Sequence, residues 1–272
     1  MEHKLSMWTS FFIELTPEEA LEELAQAGWR HAELSDEHGH ALLGRGDPEP
    51  VGRAFRRFAD DCGVAVEQGH LWLVVDIAPA DEAGRRQAVD GLKRWLDLYQ
   101  AIGIPAAVLH PGGNGHSDPA ARLGQQLRSL HELTAHIRGT PAAICLENCS
   151  SGDDLKPLLA QCDPAHVAVC LDTGHLNLTR ESQAEFIRFC GPRLRALHLA
   201  ENDRSGDQHN MPYARGGCVP WGEIAAALAE VGYPGLLNFE VPGENRCPLP
   251  VLRMKLAYLR ELAAWIFSGG AC

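Results

Sequence analysis

The residues that could do chemistry in this sequence are carboxylates and imidazoles at the ends of short apolar runs. Four of them recur about 25 to 40 residues apart, at Glu147, Asp172, His198 and Glu240. A carboxylate that ends a buried apolar strand is costly unless it has a partner, such as a metal ion, an arginine or a helix end that it caps. The joint pattern favours a metal site whose ligands are delivered by different strands of one sheet.

Five further side chains extend this pattern, either at other strand ends or in the turns that follow them. They are His70, His110, His175, Asp207 and His209. A lone histidine in a core is more often a hydrogen-bonded structural residue than a ligand. Nine nitrogen and oxygen donors at one end of a sheet, however, could hold one to three divalent ions of the zinc or manganese type.

Glu147 and Glu240 are the candidate catalytic pair. Beside a metal that polarises a carbonyl or hydroxyl group, two carboxylates could remove and return a proton on the adjacent carbon. The same cluster could instead activate a water molecule for attack on a phosphodiester. The pattern therefore predicts the site and leaves the reaction open.

The elements that must position these residues alternate strictly along the chain. Eight short apolar runs are predicted as strands, at 5–8, 31–34, 64–68, 106–110, 143–147, 167–172, 194–199 and 235–240. Helical patterns separate them, at 16–28, 49–62, 81–102, 120–138, 154–161, 181–190 and 221–231, and a last one spans 249–267. Short, continuously apolar strands are typical of a parallel sheet covered by helices.

Eight such units predict a (β/α)₈ TIM barrel of the α/β class, formed as one domain from residues 1–272. A doubly wound open sheet is the main alternative. It is disfavoured because no GxGxxG motif follows the first strand and because the candidate ligands come from so many strands. In a barrel, the C-terminal strand ends meet at one mouth, which would gather the nine residues.

Composition narrows the function classes. The net charge of -12 disfavours non-specific binding to nucleic acid, although a metal cluster can invert the local field. No apolar run approaches the length of a membrane span, and the first residues do not resemble an export signal. We therefore expect a cytoplasmic protein without a membrane partner, in which the nine cysteines are mostly reduced thiols.

Five motifs together resemble the xylose isomerase-like TIM-barrel superfamily, which includes sugar phosphate isomerases and epimerases and is related to the endonuclease IV-type AP endonucleases. They are Leu109-His110-Pro111-Gly112, Leu146-Glu147-Asn148, Cys170-Leu171-Asp172-Thr173-Gly174-His175, Leu197-His198-Leu199 and Asp207-Gln208-His209. The motifs and the flanking units cover nearly the whole chain.

The resemblance implies two alternative sites. In epimerase-type members, the residues that match Glu147, Asp172, His198 and Glu240 hold one divalent metal, often manganese. The two glutamates there form the acid–base pair, and residues that match His175 and Arg215 orient the substrate. In the endonuclease branch, all nine matching positions hold a trinuclear zinc cluster.

One loop departs from the family pattern. After His209 the family typically continues toward a Gly-Glu-Gly and an Asp-Trp pair, whereas this chain reads Tyr-Ala-Arg-Gly-Gly at 213–217 and Val-Pro-Trp at 219–221. Basic, aromatic-rich loops that could clasp a flipped nucleotide are not evident either.

We therefore expect a metal-dependent sugar or sugar-phosphate isomerase or epimerase with a small sugar-like substrate. Nucleic acid is disfavoured as a partner, and a homo-oligomer is left open. The alternatives are an endonuclease IV-like AP endonuclease with a multinuclear zinc site and a catalytically silent metal- or sugar-binding barrel.

Overall fold

The computed structural model describes residues 4–270, and eight parallel strands organise it. They are β1 Leu5–Trp8, β2 His31–Leu34, β3 Ala65–His70, β4 Ala106–Leu109, β5 Ala143–Glu147, β6 Val167–Asp172, β7 Leu194–His198 and β8 Leu237–Phe239. Each strand from β1 to β6 pairs with the next along the chain, and β1 also pairs with β8. An isolated parallel pairing of Leu199 with Phe239 closes the gap between β7 and β8. The predicted (β/α)₈ barrel is confirmed.

Ten helices accompany these strands in the described part of the chain. They are α1 Pro17–Gln26, α2 Asp36–Leu43, α3 Pro48–Cys62, α4 Glu82–Ile102, α5 Pro119–His136, α6 Lys156–Leu159, α7 Thr173–Thr179, α8 Gln183–Cys190, α9 Trp221–Glu230 and α10 Leu249–Trp265. Local signals in the sequence explain their ends. The Thr16 side chain and Glu19 form a reciprocal capping box at the start of α1, and Gly63 ends α3 in the left-handed conformation.

Two helices were not predicted, because both are short and start directly after a strand. Ser35 caps α2 by accepting a hydrogen bond from the His38 backbone N–H. Asp172 caps α7 in the same way, with 2.5 Å from its Oδ1 to the backbone nitrogen of His175. The helix predicted at 154–161 is instead a 3-10 turn, Gly152–Leu155, followed by the single turn of α6. No helix among residues 4–270 is long and apolar enough to cross a membrane.

The interior of the barrel has two chemically different halves. Strands β4 to β7 line it with small side chains that form their own buried cluster, Ala106, Val108, Ala143, Cys145, Ala168, Cys170 and Ala196. The other strands contribute fully or almost fully buried polar residues, Ser6, Glu33, Gln68 and Asn238. Because strand side chains alternate between faces, these residues lie on the same face as the functional groups two or four positions later. The candidate ligands therefore point into the mouth.

The ends of the predicted domain, residues 1–3 and 271–272, lie outside the described residues, and the second range includes Cys272. The eight other cysteines are free thiols.

Candidate metal centre

All nine predicted ligands lie at the C-terminal mouth of the barrel. His70, Glu147, Asp172 and His198 are the last residues of β3, β5, β6 and β7, and His110 and Glu240 directly follow β4 and β8. His175 lies in the first turn of α7, and Asp207 and His209 lie in the loop after β7.

Glu147 is the centre of the cluster and is 1% exposed. Its Oε2 lies 3.2 Å from Nδ1 of His198, 3.3 Å from Nε2 of His110 and 3.4 Å from Nε2 of His70. Its Oε1 lies 3.1 Å from Nδ1 of His175. One carboxylate therefore contacts four imidazoles, so Glu147 could be shared between neighbouring ions.

Two of the other carboxylates, Glu240 and Asp207, each join two imidazoles. Oε2 of Glu240 lies 3.3 Å from Nδ1 of His198 and 3.3 Å from Nδ1 of His209. Asp207 lies 3.0 Å from Nε2 of His175 and 3.2 Å from Nε2 of His209. The cluster is thus continuous from β3 to the loop after β7.

Several groups of three side chains have donor atoms within 4.8 Å of one another, as one ion requires. Three such groups are His70 with His110 and Glu147, His70 with His198 and Glu240, and Asp172 with His175 and His209.

The donor atoms fit a divalent metal. Five buried atoms in this cluster lack a hydrogen-bond partner, namely His70 Nε2, Glu147 Oε2, Asp172 Oδ2, His175 Nδ1 and His198 Nδ1. Buried polar atoms are nearly always satisfied, and here the unsatisfied ones approach each other without hydrogen-bond geometry. Imidazole nitrogens and carboxylate oxygens aimed at a common space are what zinc or manganese binds.

Interactions outside the cluster orient two of the imidazoles. Nδ1 of His70 lies 2.6 Å from the carbonyl oxygen of Leu71, which leaves Nε2 toward Glu147. Nε2 of His198 lies 3.0 Å from Oε1 of Glu33, which leaves Nδ1 toward the cluster. Outer partners of this kind are typical of metal-binding histidines. Sequence reasoning missed Glu33, although a carboxylate next to the end of a buried strand was the available signal.

Burial and neighbouring charges shift the titration of the cluster in the metal-free protein. Burial disfavours the charged ring of His70, yet Glu147 outweighs it and raises the pKa of His70 to about 9. Burial also disfavours the charged rings of His209 and His175, but adjacent carboxylates raise their pKa values to about 10 and about 12. Burial raises the pKa of Glu240 to about 7. For Glu147, the cationic histidines outweigh burial and lower its pKa well below 4.5.

A second buried carboxylate that the sequence analysis missed shapes the loop after β7. Glu201 accepts hydrogen bonds from the backbone nitrogens of Cys218 and Val219, both at 3.0 Å, and from Nε1 of Trp221 at 2.8 Å. Gly217 packs against this carboxylate so closely that a Cβ there would lie 2.1 Å from its Cδ. The loop that carries Asp207 and His209 is therefore folded around Glu201.

Arg215, the predicted substrate-orienting residue, lies in this loop but not in the cluster. It is exposed, has a φ of 54° and forms no hydrogen bond or ion pair within residues 4–270. His175, its predicted companion, is part of the cluster.

A cavity of about 330 Å³ opens beside the cluster on the side of His110 and Glu147. Its lining includes apolar residues at 73–75 and the charged residues Arg122 and Asp154. Cys149 also lines it, and burial raises the pKa of its thiol, which is therefore protonated at neutral pH.

Residues 21–267 match the family described as xylose isomerase-like TIM barrel. The chain belongs to that family. Among curated relatives, a D-psicose 3-epimerase of Enterocloster bolteae is 38% identical over 207 residues, which are 68% of this chain and 64% of that protein. A probable endonuclease 4 of Nitratidesulfovibrio vulgaris is 32% identical over 131 residues, 45% of this chain and 46% of that protein. The chain thus spans about half to two thirds of the length of these relatives.

Solved structures agree on the fold of this family member. A D-psicose 3-epimerase crystallised in the presence of D-fructose superposes with a TM-score of 0.81 at 16% identity, over 98% of this chain and 99% of the other. A 3-keto-D-glucoside 4-epimerase of E. coli superposes with a TM-score of 0.76 at 17% identity, over 96% and 100%. At these identities the likeness shows the barrel alone.

Proposed function

We propose that this protein is a divalent-metal-dependent isomerase or epimerase that acts on a small sugar or sugar phosphate. The observation that carries the proposal is the approach of two carboxylates to one imidazole nitrogen. Oε2 of Glu147 and Oε2 of Glu240 lie 3.2 and 3.3 Å from Nδ1 of His198. The two carboxylates come from β5 and from the end of β8, so they border the same space from different sides of the mouth.

The residues that would hold the catalytic ion are Glu147, Asp172, His198 and Glu240. When bound, a divalent ion supplies Lewis acidity toward carbonyl and hydroxyl oxygens. The fit rests on the unsatisfied buried atoms of Glu147, Asp172 and His198.

The two glutamates move the proton in this proposal. One carboxylate removes a proton from the carbon next to the substrate carbonyl, and the C–H electron pair moves into the new carbon–carbon double bond of an enediolate. The other glutamate returns a proton to the opposite face of that carbon, which gives the epimer, or to the neighbouring carbon, which gives the isomer. Both groups are buried, at 1% and 7% exposure, which limits competition from water. His175 would hold a substrate oxygen, and Arg215 would reach the substrate from the rim of the mouth.

The similarity to D-psicose 3-epimerase supports this reaction class, since it is the longer of the two curated matches described above. The acidic protein, with a net charge of -12, also suits a small substrate better than a polyanion.

A second candidate is an AP endonuclease, and one observation favours it. The five outer residues His70, His110, His175, Asp207 and His209 join the core four in one cluster, more donors than one ion needs. The similarity to a probable endonuclease 4 points the same way. Against it, the lining of the cavity beside the cluster contains one arginine and no lysine, and that arginine, Arg122, lies 3.9 Å from Asp154.

Deuterium incorporation tests the proposed chemistry without knowledge of the substrate. Purified protein loaded with Mn²⁺ or Zn²⁺ is incubated in D₂O with a panel of ketoses, aldoses and their phosphates, and proton NMR detects exchange beside the carbonyl. We expect exchange with at least one sugar, and its loss in Glu147→Gln and Glu240→Gln. Cys149→Ser, which changes the cavity wall but neither carboxylate, should retain exchange. Epimerisation that survives in a Glu147→Gln variant with no bound metal would contradict the proposal.

Duplex DNA with one abasic site separates the alternatives. Incision that EDTA abolishes and zinc restores, without any sugar exchange, would select the endonuclease. A filled metal site with turnover of neither substrate type would select the catalytically silent barrel.

A further inference from the structure

The imidazole of His198 has carboxylates at both of its nitrogens. Nδ1 faces Glu147 and Glu240 at the mouth, and Nε2 lies 3.0 Å from Oε1 of Glu33 in the barrel interior. His198 and Glu33 are both 0% exposed, so water does not compete for this contact. Because an ionised carboxylate only accepts hydrogen bonds, Nε2 must carry a proton toward Glu33, which leaves Nδ1 as the nitrogen that can present its lone pair to a cation at the mouth.

Glu33 is itself fixed by a chain of side chains from three strands. Its Oε2 accepts a hydrogen bond from Nδ2 of Asn238 on β8. Oδ1 of Asn238 in turn accepts one from the Ser6 hydroxyl on β1, at 2.9 Å. Both neighbours are 0% exposed, and no lysine or arginine within residues 4–270 forms an ion pair with Glu33. A buried carboxylate that has no lysine or arginine partner depends on its hydrogen bonds, which for Glu33 come from His198 and Asn238.

We propose that Glu33 is a positioning residue that fixes the tautomer and direction of His198 for a divalent cation at Nδ1. The inference rests on the metal site of the proposed function but not on the reaction.

Two consequences follow from this arrangement. Without the carboxylate, the ring of His198 can place its proton on Nδ1, and the ligand lone pair then points into the interior. The carboxylate also makes the ring a stronger donor to the ion. Loss of such outer partners typically weakens metal binding about 10- to 100-fold.

Metal affinity gives the first test, with Zn²⁺ alone and Mn²⁺ alone as probes in calorimetric titrations. We expect Glu33→Gln to weaken binding of each ion about 10- to 100-fold. Glu33→Asp, which keeps the carboxylate on a shorter side chain, should recover part of that loss. Glu67→Gln is the matched control, since Glu67 also contacts a histidine, with Oε2 2.7 Å from Nδ1 of His31, but at the opposite end of the barrel. Unchanged affinity in folded Glu33→Gln would overturn the inference.

The tautomer of His198 in the wild-type protein gives a second test. Long-range proton–nitrogen correlation spectra of the zinc-loaded wild type should show a protonated Nε2 for His198, with the assignment made from His198→Asn. A protonated Nδ1 in the wild type would overturn the inference, because that nitrogen could not then hold the ion. If the wild type binds neither ion, the metal site of the proposed function fails, and the inference with it. If the wild type binds the ions tightly and Glu33→Gln binds them equally tightly, only the inference fails and the metal site stands.

Discussion

Asp207 lies 3.0 Å from Nε2 of His175, and this contact joins the loop after β7 to helix α7. The same carboxylate lies 3.2 Å from Nε2 of His209. Asp207 lies in a loop rather than at a strand end, and it can be altered without touching Glu147 or His198.

Replacement of Asp207 by Asn should lower the number of bound ions by one. The amide is a weaker metal donor than the carboxylate, and the donor group that Asp207 forms with His175 and His209 would lose one negative charge. Metal analysis by mass spectrometry after zinc loading and desalting measures the count. Asp203→Asn is the matched control, because Asp203 lies in the same loop and its side chain contacts Ser205. Equal zinc content in Asp207→Asn and wild type would contradict a separate ion at this group.

Metal binding should release protons at pH 7.5. The pKa values of His70, His209 and His175 are raised to about 9, 10 and 12 in the metal-free protein, so these rings are protonated at this pH and must lose protons to bind an ion. Zinc titration in two buffers of different ionisation enthalpy should therefore give different apparent binding enthalpies. The difference between them should correspond to the release of at least one proton. Identical enthalpies would contradict the prediction.

The metal-free protein should lose stability as the pH rises above 6.5. A raised imidazole pKa adds stability that is fully present below its ordinary value of 6.5 and is lost as the pH rises through the folded value, about 9 for His70. The raised pKa of Glu240 acts in the same direction up to about 7. Thermal unfolding in EDTA should show a lower Tm at pH 9 than at pH 6.5.

Zinc should reverse that trend. Since the ion competes with protons for the same atoms, the Tm difference between zinc-loaded and metal-free protein should grow from pH 6.5 to pH 9. A difference that shrinks over this range would show that the raised pKa values do not belong to the ligands.

Truncation of Glu201 should open the loop after β7. Glu201→Ala leaves the backbone N–H groups of Cys218 and Val219 and the indole N–H of Trp221 without their acceptor, so we expect a loss of about 2–4 kcal/mol in the free energy of unfolding by urea. Trypsin should also cleave the folded variant faster within the loop. Glu223→Ala, an exposed position in the first turn of α9, should change stability by less than about 0.5 kcal/mol. Equal stabilities of the two variants would contradict the role of Glu201.

The sequence predicted the barrel well because several strands, β4, β5 and β6 above all, are short apolar runs that are buried on both faces. The runs that end at Glu147 and Asp172 coincide with β5 and β6, and both are buried at every position. Helices α2 and α7 were missed because they are short and start at a strand end, where Ser35 and Asp172 act as caps.

The site could be predicted only in part, for a physical reason. Strand-end position indicates which side chains enter the mouth, so the nine candidates lie together in the structure. Position along one strand does not reveal a partner on another strand, and the pairing of Glu33 with His198 joins residues 165 positions apart. The metal roles of the nine residues, and the substrate roles of His175 and Arg215, stay predictions.

The small side chains inside β4 to β7 have a consequence for the choice of metal. Ala143 and Cys145 precede Glu147 on its face of β5, and Ala168 and Cys170 precede Asp172 on β6. These residues have few or no rotamers, so the layer below the ligands can adapt very little to an ion of different radius. We expect the fixed position of this layer, rather than the ligands themselves, to determine how strongly the site discriminates between ions of different radius.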